Sequence, residues 1–135
     1  MDVDVQNFLR RLDLYDDKTL DAAGRGMNDN VLDLQKLAMQ LVPVHKRGLI
    51  GTAYSRVTFP SGEVEGQVGF NKPYAVKVHE DMEPAPGATQ RRGPLTRAKP
   101  GNEFGEAGGK YLQRPLRGKS KVYMRHLADK IKKVK

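Results

Sequence analysis

Cysteine and tryptophan are both missing from this chain, and the first absence removes whole classes of explanation. Without cysteine there is no disulfide framework, no thiol nucleophile and no thiolate metal site, which fits a fold that never needed oxidation and an intracellular setting. Aromatic residues are scarce at 7%, and hydrophobic residues make up 38% of 135 positions. That is enough for one modest core and hardly for two, so a single domain over 1–135 is expected. Nowhere do 18 apolar residues follow one another, and the opening MDVDVQNFLRR is acidic and broken by polar residues. Neither a membrane span nor a cleaved leader is expected.

Acidic residues are also scarce in one place. Residues 110–135 hold ten Lys or Arg against a single acid, Asp129, whereas the first 109 residues hold 14 bases and 15 acids. The net charge of +8 is therefore a property of the C-terminal segment and not of the whole surface. Such a segment points to a basic helix or tail that meets something acidic.

The strongest local signal runs from Asp17 to Leu49. Leu20, Met27, Val31, Leu34, Ala38 and Leu41 recur at helical spacing and form one apolar stripe, with Asp29, Asp33, Lys36 and Gln40 on the other side. Asp16 or Asp17 can cap its start, and Pro43, lacking an amide hydrogen, stops it after Val42. A helix of that length spans about 39 Å and needs a flat apolar partner to lie on. Gly48 then supplies the positive φ of a helix-to-strand corner. Residues 49–59 alternate, with Ala53, Val57 and Phe59 on one side, and 63–70 alternate with Val64, Val68 and Phe70 inward. Pro60-Ser61-Gly62 joins them as an antiparallel hairpin, in which Gly66 and Gly69 mark candidate bulges.

The flanking segments are less periodic. Val5, Phe8, Leu9 and Leu12 suggest a short first helix, packed on the main one or docked on a neighbouring subunit. Residues 74–80 read as a short helix or a short strand. Residues 81–109 include ten Gly or Pro and almost no large aliphatic side chains, so they are expected to form an extended arm that orders against a partner. Residues 110–116 look like a further strand, with Tyr111 and Leu112 on opposite faces. Ser120 caps a basic C-terminal helix over 119–135, with Tyr123, Met124, Leu127, Ile131 and Val134 as its apolar stripe. The fold class expected is α+β: a long N-terminal helix on a small antiparallel sheet, with a Gly/Pro-rich arm and a basic C-terminal helix.

Catalytic chemistry finds no foothold. The histidines His45, His79 and His126 are widely separated and make no zinc motif. Gly105 to Lys110 imitates a phosphate loop, but Phe104 stands where its first glycine belongs and Tyr111 follows the lysine in place of Ser or Thr. His79-Glu80-Asp81 has no nucleophile beside it and reads as solvated polarity. No enzyme activity, cofactor or metal is expected.

Three short motifs occur in order: Leu41-Val42-Pro43-Val44 with Gly48 and Leu49, then Pro73-Tyr74-Ala75 with Val78-His79-Glu80, then Tyr111-Leu112-Gln113-Arg114-Pro115-Leu116. Together they cover roughly residues 17–120, and the chain resembles the neck and tail-completion proteins of tailed bacteriophages, the head-to-tail joining family also called minor capsid or tail component. The resemblance implies a non-catalytic virion protein made in the host cytoplasm, forming a sixfold or twelvefold ring between the capsid portal and the tail. It makes Pro43 and Gly48 a structural corner and Tyr74, Tyr111, Leu112 and Pro115 the motif core. Partners would be further copies of itself, connector or head-closure proteins, tail proteins and, through the channel, genomic DNA, with no membrane involved. Arg125, Lys130, Lys132 and Lys133 are the candidate partner-binding residues of the basic helix. The competing class, a small nucleic-acid-binding module, rests on the basic segment alone and lacks the interleaved aromatics such modules carry.

Overall fold

The structure, a computed structural model, describes residues 10–13, 17–44, 48–72 and 75–133. Its organising element is the long helix α1, Asp17–Leu41. Met27, Val31, Leu34, Ala38 and Leu41 are fully buried along it, as their spacing requires. Backbone pairing ends where Val42 N donates to Ala38 O at 2.8 Å, one residue before Pro43.

The chain turns through Gly48, whose φ of 74° lies in the left-handed region, and a short 3-10 turn over Leu49–Thr52. Strands β2, Ala53–Thr58, and β3, Glu63–Phe70, then pair antiparallel from Ala53↔Phe70 to Thr58↔Glu65. Val64, Val68 and Phe70 of β3 are buried against α1. Gly66 and Gly69 are not bulges, because pairing runs through both without a skipped residue, Val57↔Gly66 and Tyr54↔Gly69. Gly66 matters for packing instead. A Cβ there would stand 2.5 Å from Met27 Sδ and 2.7 Å from Val31 Cγ1, so its bareness lets α1 settle onto the sheet. Phe59 does not join the inward row. It is half exposed, with its ring lying over Gly24 of α1.

Further expectations need correction. The first helix cannot extend through Leu12, because Arg10–Asp13 is a strand, β1, paired antiparallel with β3 from Arg10↔Gly66 to Asp13↔Glu63. The sheet order is β1-β3-β2. The free edge of β3 offers ladder hydrogen bonds that override a short helical pattern. Val5, Phe8 and Leu9 lie outside the described residues. Residues 75–81 resolve the open alternative as a helix, α2, Ala75–Asp81.

Residues 110–116 are not a strand. Lys110 to Leu112 form a turn, both Tyr111 and Leu112 are buried, and α4 runs over Gln113–Lys132 instead of starting at Ser120. Pro115 is tolerated because it occupies the third helical position, where no amide hydrogen is required by the helix. Gly118 sits within the helix because the Phe104 ring packs where a Cβ would be, 2.1 Å from its Cε1. Met124, assigned inward by periodicity, is 46% exposed, while Tyr123 and Leu127 are buried; Val134 lies outside the described residues. Helix α4 packs beside α1, running the opposite way, so that Lys130 and Leu127 lie on Gly26 while Lys119 reaches Asp33.

The expected free arm is folded onto the body. Thr89 N and Gln90 N both donate to Asp81 O, Gly109 N donates to Glu83 O, and a one-turn helix α3, Pro94–Arg97, forms midway. Met82, Ala85, Thr96 and Ala107 are buried. Composition misleads here because Met82, Ala85, Phe104 and Ala107, among its few apolar side chains, are buried or packed on the core, and hydrogen bonds to the end of α1 add to them.

Candidate functional site

The last carbonyls of a helix have no partner within it, and a buried helix end must find them elsewhere. Here the 82–109 segment supplies the donors. Lys99 Nζ donates to Met39 O at 2.8 Å and to Val42 O at 2.6 Å. Asn102 Nδ2 donates to Leu37 O at 3.1 Å, and Gly108 N to Leu41 O at 2.8 Å. Thr96 Oγ1 accepts from Val44 N at 3.0 Å. Burial pulls the Lys99 ammonium below the usual lysine range, and its position at the helix C-terminus suits a cation. Thr96, Lys99 and Asn102 were not singled out from the sequence, since nothing local marks a loop residue that will meet a carbonyl some sixty positions away.

A second cluster joins the other two motifs. The Tyr111 hydroxyl donates to Ala75 O at 3.0 Å, and its ring meets Phe70 and His79 edge-on at 5.1 and 4.9 Å between centroids. Lys110 N donates to His79 O at 2.6 Å, and Gln113 N, the first amide of α4, donates to His79 Nε2 at 3.3 Å. His79 is 1% exposed. It is thus a buried cap on α4 and not solvated loop polarity. Burial lowers its pKa from 6.5 to about 4, despite Glu80 Oε1 lying 3.1 Å from Nδ1. Glu80 in turn pairs with Lys110, which holds its carboxyl below the usual range. Arg114 staples the junction by donating to the carbonyls of Phe104, Glu106 and Gly109.

The second and third motifs meet through Tyr111 and Gln113, which contact Ala75 and His79. Pro43, Leu112 and Pro115 are buried as well, and Gly48 keeps its positive φ. Tyr74 lies outside the described residues.

Nine of the ten bases of the C-terminal segment lie among the described residues, and they divide into two sets. Lys119 lies 3.8 Å from Asp33, Lys130 4.0 Å from Asp29, and His126 2.9 Å from Asp29, so α1 takes up part of the charge. Tyr123 adds to the same seam by donating to Asp33 Oδ2 at 2.7 Å, while Asn30 Nδ2 donates to Tyr123 O. Burial and the Asp33 carboxylate both push the Tyr123 hydroxyl pKa up. Lys130, one of the expected partner-binding residues, also touches α1, its stem lying on Gly26. Arg125, Lys132 and Lys133 do face solvent, together with Arg117 and Lys121, which were not among the expected partner-binding residues.

Among the described residues no group of three His, Cys, Asp or Glu could hold a metal ion, and no helix is long and apolar enough to cross a membrane. Comparison with protein-family models, with curated proteins and with solved structures finds no match.

Proposed function

We propose that this chain is a structural virion protein of the phage neck, one subunit of a ring that joins the capsid portal or connector to the tail. What supports the reading is that the segments carrying the three motifs of the family resemblance are hydrogen-bonded to one another. Segments roughly thirty to seventy residues apart in the sequence are tied by hydrogen bonds, Lys110 to His79, Tyr111 to Ala75 and Gly108 to Leu41. Residues that keep a fold's elements together suit a building block. In a cyclic ring each subunit offers two unlike surfaces to its neighbours, and the solvent-facing bases of α4 are left over for a third partner.

The nucleic-acid reading has less behind it. The N-terminus of α4 offers no open amides to a phosphate: Gln113 N is taken by His79, Arg114 N by Lys110 O, Leu116 N by Leu112 O, and Pro115 has none. Lys110, Arg114, Lys119 and Lys130 already have partners within the fold.

The test is a phage carrying a stop codon in this reading frame, with particles viewed by electron microscopy and the purified protein sized in solution. Filled heads and finished tails that fail to join, together with a ring-sized assembly, are expected. Normal joining without the protein, or a monomer that instead binds duplex DNA with a steep salt dependence, overturns the reading.

A further inference from the structure

On the outward face of α4, five bases have no carboxylate partner among the described residues: Arg117, Lys121, Arg125, Lys132 and Lys133. The first four span the helix over about 22 Å at its usual rise. A run of charge alone is most often a solvated face. This one differs because an apolar seam runs along its flank: Met124, Ala128 and Ile131 fall at i, i+4 and i+7, with Met124 46% exposed, Ala128 exposed and Ile131 half buried. The seam continues the stripe of Tyr123 and Leu127 that packs on α1, so α4 has more apolar surface than α1 covers. Lys121, Arg125 and Lys132 border that seam on its solvent side.

We infer that this face docks an amphipathic helix of a partner protein, one whose apolar edge meets Met124, Ala128 and Ile131 and whose flanking Asp or Glu residues meet Lys121, Arg125 and Lys132. The inference rests on the assembly role proposed above and names the chemistry of one partner. A helix is favoured over a nucleic-acid strand by the seam itself. Phosphate needs bases, and gains nothing from a methionine and an alanine at helical spacing, whereas Ala128 gives a second helix room to approach. Charge complementarity along the seam fixes the partner's orientation and speeds encounter, and the apolar contact holds it.

The experiment uses the full chain and three probes: a synthetic four-heptad peptide with Leu at the seam positions and Glu flanking them, a scrambled peptide of the same composition, and a short DNA duplex. Binding is followed by fluorescence anisotropy at low and at physiological salt. The amphipathic peptide should bind at least about tenfold more tightly than the scrambled one, about 1.4 kcal/mol. Met124→Glu and the triple reversal Lys121→Glu, Arg125→Glu, Lys132→Glu should each weaken it by a similar factor, with melting temperatures unchanged because all four side chains are exposed. Equal binding of both peptides, binding to none of the probes, or DNA binding that is tighter and indifferent to Met124→Glu overturns the inference. A chain found in virion necks that ignores the peptide loses this inference alone, whereas one that takes the peptide but is missing from virions keeps it and loses the neck.

Discussion

Protonating His79 should unfasten α4, and the size of the effect follows from where the imidazole sits. Its Nε2 accepts the first amide of the helix while the ring is packed edge-on against Tyr111, so only the neutral form fits. The folded pKa is lowered from 6.5 to about 4. An unfolded chain therefore takes up this proton at higher pH than the folded one, and stability is fully present above about 6.5 and falls as pH drops toward 4. The shift corresponds to about 3 kcal/mol, a large part of the roughly 5 to 15 kcal/mol that holds a domain together. Glu80 acts lower down: its depressed pKa means that its contribution is lost only as pH falls below the ordinary carboxylate range. Urea denaturation at half-unit steps from pH 7.5 to 4 should show the loss, and in His79→Gln, whose amide oxygen can accept the same amide but cannot titrate, the slope above pH 4.5 should be nearly flat. Equal slopes in the two proteins would refute the assignment of the pH dependence to His79.

Other expectations follow from single contacts. Leu34→Ala should lower stability by about 2 to 5 kcal/mol, because the side chain is fully buried in the contact between α1 and the sheet; thermal melting measures it. Gly48→Val should cost about 1 to 3 kcal/mol from its φ of 74° alone, since no neighbour lies within 4 Å of a Cβ there, and Gly48→Asn should recover part of the loss in the same melts. Lys99→Met should cost about 1 to 3 kcal/mol by orphaning Met39 O and Val42 O, visible as a lower urea midpoint with an unchanged m-value. Hydrogen exchange should find Gly108, Gly109 and Gln90 protected in the isolated protein, as their hydrogen bonds require, against the behaviour of a free arm.

The elements that could be read from the sequence are those whose pattern is local. The stripe from Met27 to Leu41, the stop at Pro43, the positive φ at Gly48 and the hairpin from Ala53 to Phe70 each need only a few neighbouring residues to declare themselves. What escaped depends on distant partners. Arg10–Asp13 is a strand because β3 has a free edge, and Tyr111 is buried because Phe70, Ala75 and His79 surround it. Residues 82–109 look unable to bury themselves until Lys99, Asn102 and Gly108 are seen capping α1. The ion pair of Lys130 is equally illegible in the sequence, because only the approach of α1 brings Asp29 beside it.

The capped end of α1 also has a consequence for how the protein is made. Its final carbonyls receive side-chain donors from residues 57, 60 and 65 positions later. A ribosome adding about 5–20 residues per second therefore emits the complete helix and hairpin some seconds before the groups that close them exist. During that interval the last carbonyls of α1 lack the donors that cap them in the finished fold. The rest of the fold forms only when the loop arrives, so truncated products ending before Lys99 should be the ones that proteases clear.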